Sequence, residues 1–107
     1  MKTYVVIHNK NSRGKNLKKE YIDGLFISNN LKHIYKSTHS YEELDETIKL
    51  YSNSSVYQYC TIGGDGSLNS LINSLMKNNI QTPDVSILPA GSGSDFIRTF
   101  AISQDIE

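Results

Sequence analysis

The stretch "TIGGDGSLNSLINSL", Thr61 to Leu75, constrains the fold more than any other part of the chain. It continues the β-branched and aromatic run "SVYQYC", halts on Gly63, Gly64 and Gly66 around Asp65, and turns at once into an apolar repeat. Leu68, Leu71, Ile72, Leu75 and Met76 fall at i, i+3, i+4, i+7 and i+8, the spacing of one helix face. Strand, glycine loop and helix in immediate succession make half of a βαβ unit. A chain with this junction needs a sheet to receive the helix.

The same grammar runs through the rest of the sequence. "TYVVIHN" is an unbroken apolar run, the pattern of a strand buried on both faces. After the polar loop "NKNSRGK", the segment "NLKKEYIDGLFISNN" carries Leu17, Tyr21, Ile22, Leu25 and Phe26 at helical spacing. A second strand, "HIYKS", leads to Ser40, which reads as a helix N-cap with Glu43 completing a capping box; Tyr41, Leu44, Ile48 and Tyr51 follow on one face. "DVSILP" supplies a fourth strand, "AGSGSDF" a second glycine-bearing loop, and "DFIRTFAI" the expected start of a last helix, with "SQDIE" reading as a linker. The predicted order is βαβαβαβα. That alternation predicts an α/β fold, a three-layer α/β/α sandwich around a mostly parallel sheet with right-handed crossovers.

At 107 residues the chain fits a single domain. Its 11 lysines and arginines cancel its 11 aspartates and glutamates, so no global field draws it to nucleic acid, and any anion site must be local. The lone Cys60 sits in an apolar run and reads as a small buried hydrophobe rather than a reactive thiol. No apolar run approaches the ~20 residues of a membrane helix, and a cytoplasmic protein is expected. His8, His33 and His39 lack metal-site spacing and read as structural or loop residues.

In open parallel sheets ligands bind beyond the carboxyl ends of the strands, where all three polar or glycine-rich loops are expected to lie. The first gathers Lys10, Arg13 and Lys15 beside Asn9, Ser12 and Gly14, a local positive patch suited to phosphate. The second presents Gly63, Gly64 and Gly66 at a helix start, where backbone N–H groups can approach an anion, with Ser67 and Asn69 adding polar groups. Asp65 would repel a bare phosphate. It makes sense facing magnesium or accepting a proton from an attacking hydroxyl, although it could simply cap the helix, with the glycines permitting a tight turn. The third loop, Gly91, Ser92, Gly93, Ser94 and Asp95, adds a donor-rich turn, with Arg98 one helical turn past Ser94; there too a plain N-cap is the simpler alternative.

"GGDGSLNSLINSL" resembles the GGDGT-L-N-E signature of the diacylglycerol kinase catalytic domain, a family shared with bacterial lipid kinases and sphingosine kinases. "VIHNKNSRGK" is similar to that family's first strand and Asn-Pro-x-Ser-Gly loop, and "ILPAGSGSDFIRTFAI" to its Pro-x-Gly-Thr-Gly-Asn-Asp-Phe-Ala-Arg segment. Three motifs in order cover nearly the whole chain. The resemblance implies the nucleotide-binding half of a lipid kinase, with a fold similar to the N-terminal domain of NAD kinase and diacylglycerol kinase. It implies that Asn9, Lys10, Asn11, Ser12, Arg13, Thr38 and the run Gly63, Gly64, Asp65, Gly66, Ser67, Leu68, Asn69 and Ser70 contact ATP. Gly91, Ser92 and Gly93 would close the phosphate site, and Asp65 and Asp95 would face Mg2+. Asp65 is the implied catalytic residue.

The implied acceptor is a diacylglycerol-like lipid hydroxyl at a membrane surface, which would make the protein peripheral at the inner membrane. Family members carry a second, β-rich domain that supplies much of the lipid cleft. Residues 1–107 would be the N-terminal ATP-binding domain, with the β-rich domain absent from this chain and no turnover expected from it alone. Against the family pattern, Lys10 stands for proline, Arg13 for glycine, Ser67 for threonine, Ser70 for glutamate and Ser94 for asparagine. Two alternatives stay open. One is an NAD kinase or phosphofructokinase-like kinase, which shares Gly-Gly-Asp-Gly; the other is a non-catalytic nucleotide-binding or interaction fragment that self-associates as a homo-oligomer.

Overall fold

The computed structural model describes residues 1–89 and 98–100, with Arg13, Pro89 and residues 98–100 described through their backbone. The strands are β1 (Thr3–Asn9), β2 (His33–Thr38), β3 (Tyr57–Gly63), β4 (Val85–Pro89) and β5 (Arg98–Phe100). The helices are α1 (Lys19–Ser28), α2 (Tyr41–Leu50) and α3 (Asp65–Lys77), with a short 3-10 turn at Arg13–Asn16. One sheet runs in the order β2-β1-β3-β4-β5. Its first four strands are parallel, in a register that sets Val5 beside Ile34 on one side and Tyr59 on the other, and Cys60 beside Ser86.

Strand alternation sorts the core into two layers. Val5, Ile7 and Tyr59 point to one face, where Leu44 and Ile48 of α2 and Leu71 and Leu75 of α3 cover them. Val6, Cys60, Ile62 and Leu88 point to the other, with Ile22 and Phe26 of α1. Each such side chain, fully buried, contributes about 1.5–3 kcal/mol, which exceeds any local helix preference in these short segments. This is the expected three-layer α/β/α arrangement.

Ser40 caps α2 as expected: its Oγ accepts from the Glu43 N–H at 3.1 Å. Glu43 reaches back one residue further than in the standard box, its Oε1 accepting from the His39 N–H at 2.7 Å. Helices α2 and α3 are joined by the buried carboxylate of Asp45. It accepts from Ser74 Oγ at 2.9 Å and Asn78 Nδ2 at 2.8 Å, with Lys49 and Lys77 each at 3.4 Å. These bonds hold the Asp45 carboxyl well down, from 3.8 to about 2.

Three expectations are corrected. Within "DFIRTFAI", where a helix is expected to start, the described residues Arg98–Phe100 form strand β5 instead, antiparallel to β4 with Ser86 beside Thr99, and the rest of that segment lies outside the described residues. A β-branched residue next to an aromatic fits the open edge of β4, and tertiary pairing overrides a short helical pattern. Helix α1 begins at Lys19, because the residues before it are taken up by the 3-10 turn that Ser12 caps. Tyr21 and Met76, read as core-facing from periodicity, are exposed, and the small Ser67 and Ser74 are buried in α3 instead. The proposed linker at residues 103–107 lies outside the described residues.

The chain runs from β1 to β2 on one side and then crosses back to β3 on the other. The loops leaving β1 and β3 therefore diverge, and the crevice between them is the topological switch point of an open α/β sheet. Among the described residues, no helix is long and apolar enough to cross a membrane.

Candidate functional site

A cleft of about 750 Å³ opens at that switch point. Asn9, Asn11 and Ser12 line one side; Gly64, Asp65, Gly66, Ser67 and Ser70 line the other. A smaller cavity of about 100 Å³ adjoins it beneath α2, lined by Thr38, Ser40, Tyr41 and Thr61 and sharing Asn9, Asn11, Ser67 and Ser70.

The first wall is a compact loop held by its own side chains. Asn9 Oδ1 accepts from the Asn11 N–H at 2.9 Å, and Ser12 Oγ donates to the Asn9 carbonyl at 2.7 Å. Asn11 Nδ2 donates to the His39 carbonyl at 2.6 Å, anchoring the loop to the end of β2. These short polar residues bond to nearby backbone in place of helix or ladder, which is why the chain turns here.

The second wall is the start of α3. Gly63 adopts φ 143°, a conformation open to glycine, and a Cβ there would meet Ser67 Oγ at 2.6 Å and Ser12 Oγ at 3.0 Å. Gly63 thus lets the two walls close on each other. At Gly64 and Gly66 a Cβ would meet no atom of the described residues within 4 Å, so these residues leave room above the turn. Gly64 is the N-cap and offers no side chain to cap the helix, and among the described residues no side chain caps the first turn, so its N–H groups are suited to an anion. Asp65 and Gly66 are exposed, and Ser67 Oγ accepts from Asn9 Nδ2 at 3.2 Å across the cleft.

Most of the residues expected to form the site come together, with informative exceptions. Lys10 turns its Nζ to the Lys15 carbonyl at 3.2 Å, along its own loop. Leu68 packs against the core and Asn69 is exposed on α3, neither lining the cleft. The backbone of Arg13 sits in the 3-10 turn. Gly91, Ser92, Gly93, Ser94 and Asp95 lie outside the described residues. Ser40, Tyr41 and Thr61 join the lining, although the sequence marks them only as a helix cap, a helix-face residue and a strand residue. Parallel pairing could have pointed to Thr61, since it stands beside Ile7 and near the carboxyl end of β3.

The cleft can receive an anion: a helix start with no side-chain cap from the described residues, glycines beside it, and the amides of Asn9 and Asn11 opposite, each with a second Nδ2–H beyond its internal bond. Among the described residues, no three His, Cys, Asp or Glu side chains gather as a metal cage. Asp65 is the carboxylate among the described residues that line the cleft. A single carboxylate can either face magnesium, which takes its other ligands from waters and substrate phosphates, or accept a proton from an attacking hydroxyl, and the two uses exclude each other.

An open α/β sheet with an uncapped glycine turn at its switch point is the architecture of a nucleotide- or phosphate-binding domain. The model of the diacylglycerol kinase catalytic domain matches residues 3–107, and the chain belongs to that family. It is 48% identical over 42 residues to a Staphylococcus aureus (strain bovine RF122 / ET3-1) protein named "Putative lipid kinase", a match covering 39% of this chain and 13% of that relative. A protein of the same name from Staphylococcus carnosus (strain TM300) is 38% identical over 45 residues, covering 42% of this chain and 14% of the relative. The chain thus matches only a small part of the length of these curated relatives.

Proposed function

We propose that this chain is the ATP-binding domain of a lipid kinase that transfers the γ-phosphoryl group of ATP to a diacylglycerol-like hydroxyl with Mg2+. The observation that carries the reading is the placement of exposed Asp65 at the uncapped start of α3, facing Asn9, Asn11 and Ser12 across one cleft. Membership of the diacylglycerol kinase catalytic domain family supports it.

In this reading the first-turn N–H groups of α3 and the amides of Asn9 and Asn11 bind the triphosphate, and the helix dipole favours its charge. Thr38 and the smaller cavity beside it extend the site beneath α2. Bound magnesium would neutralise charge on the phosphate oxygens. Asp65 orients the acceptor hydroxyl and takes its proton as the oxygen bonds to the γ-phosphorus; the bond to the β–γ bridging oxygen breaks and ADP leaves. The rate gain comes mainly from positioning and charge stabilisation. A second, β-rich domain would complete the lipid cleft and seat the enzyme on the membrane surface.

The test is a substrate panel on the full-length protein with Mg·ATP. Phosphorylation of diacylglycerol or a related lipid is expected. Phosphorylation of NAD or fructose 6-phosphate with lipids inert would overturn the reading.

A further inference from the structure

His8 is the last apolar-run position of β1 before the cleft loop, and strand alternation sets it on the α1 face, with Val6. It is fully buried, yet both ring nitrogens are engaged. Nε2 lies 2.6 Å from the Gly14 carbonyl, and Nδ1 lies 2.6 Å from Tyr35 Oη of β2. A carbonyl only accepts, so Nε2 carries a proton. Burial, opposed by the Gly14 bond and aided by Lys10, lowers the His8 pKa below its usual value, so the ring is neutral and Nδ1 accepts from Tyr35.

The Gly14 carbonyl also accepts from the Leu17 N–H at 3.0 Å, the bond that closes the 3-10 turn. Without His8 that carbonyl would keep a partner, so the loss would not fall on the turn itself. It would fall on the bond that ties the Gly14 end of the loop to β1; the other end is held at β2 by the Lys10 N–H to the Thr38 carbonyl at 2.8 Å and by Asn11. The attachment point lies two residues beyond Ser12, in the wall that faces α3. An apolar side chain would fill the same volume at a lower desolvation cost, but it could not hold the carbonyl.

We propose that His8 is a positioning residue: as the neutral Nε2–H tautomer, aligned by Tyr35, it clamps the Gly14 carbonyl and sets the Asn9–Ser12 wall at the distance from α3 that a nucleotide phosphate requires. The proposal rests on the nucleotide reading of the cleft. The groups around the clamp are Tyr35 from β2, Lys10 from the loop, and Glu20, Asp23 and Lys19 of α1, the Lys19 Nζ lying 5.4 Å from the centre of the Tyr35 ring.

The experiment combines imidazole nitrogen shifts of His8, backbone amide signals of the loop, and Mg·ATP titration, on wild type and on His8→Leu and His8→Gln. Wild type should show the neutral Nε2–H tautomer at pH 7. His8→Leu should displace the Asn11, Ser12 and Lys15 signals and weaken Mg·ATP binding about tenfold. His8→Gln, which keeps a donor for Gly14, should restore both, with affinity within about threefold of wild type. A proton on Nδ1 alone would overturn the proposal. So would wild-type loop signals and affinity in His8→Leu, since a residue that merely fills space is replaceable by leucine. If wild type binds no Mg·ATP, the nucleotide reading fails, and the free-protein signals still decide whether His8 clamps the loop.

Discussion

Asn9 Nδ2 donates to Ser67 Oγ at 3.2 Å, a bond that joins the end of β1 to the first turn of α3 across the mouth of the cleft. Both residues also line the smaller cavity beneath α2. The two loops that diverge at the switch point are therefore coupled in shape, and a change in either wall reaches the other.

Gly63→Ala tests that coupling. The new Cβ would meet Ser67 Oγ at 2.6 Å and Ser12 Oγ at 3.0 Å, on a backbone at φ 143°. A loss of about 2 kcal/mol in denaturant unfolding is expected, together with weaker nucleotide binding. Unchanged stability and affinity would mean that the walls adjust freely.

Asp65→Ala should separate chemistry from folding. The side chain is exposed and contributes no core packing, so unfolding should move by no more than about 0.5 kcal/mol. Phosphoryl transfer by the full-length enzyme should fall by about 10²–10⁴-fold, the range for loss of a general base. Wild-type turnover in this variant would remove Asp65 from the mechanism.

Asp45 gives the acid limb of stability. Its pKa is depressed from 3.8 to about 2 by Asn78, Ser74, Lys49 and Lys77, so the folded state favours the ionised form. The contribution is fully present above about pH 4 and is lost as the pH falls through the folded value. Urea midpoints between pH 5 and 2 should fall more steeply in wild type than in Asp45→Asn, and parallel curves would contradict the assignment.

Cys60 reports on global opening. It is fully buried, and burial pushes its thiol up to about 12, leaving almost no thiolate at neutral pH. Alkylation by iodoacetamide should be negligible in the native protein and become rapid in urea beyond the midpoint. Rapid labelling of the native protein would show that β3 opens locally.

The layer order and the strands were legible in the sequence because unbroken apolar runs and helical repeats report burial directly. Thus "TYVVIHN" is β1 as expected, and "DVSILP" yields β4 less its first residue. Helix faces were less legible. Met76 continues the periodic pattern of α3 yet stands 68% exposed, while Ser67 and Ser74 of the same helix are buried. Strand β5 is not legible in the sequence because its character depends on pairing with the edge of β4, a feature of the assembled sheet.

For the site, residue types located the loops, but only geometry separated their roles. Gly63 closes the wall, Gly64 and Gly66 leave it open, and His8 joins the loop to the sheet from beneath. A histidine inside an apolar run carries no signal of the carbonyl it will meet six residues later.

The most direct measurement is a Mg·ATP titration followed through backbone amide signals and by calorimetry. The account predicts saturable binding that shifts Asn11, Ser12, Gly64 and Gly66 while leaving the far end of α3 unmoved. Absence of binding at millimolar nucleotide, or shifts confined to residues away from the cleft, would contradict it.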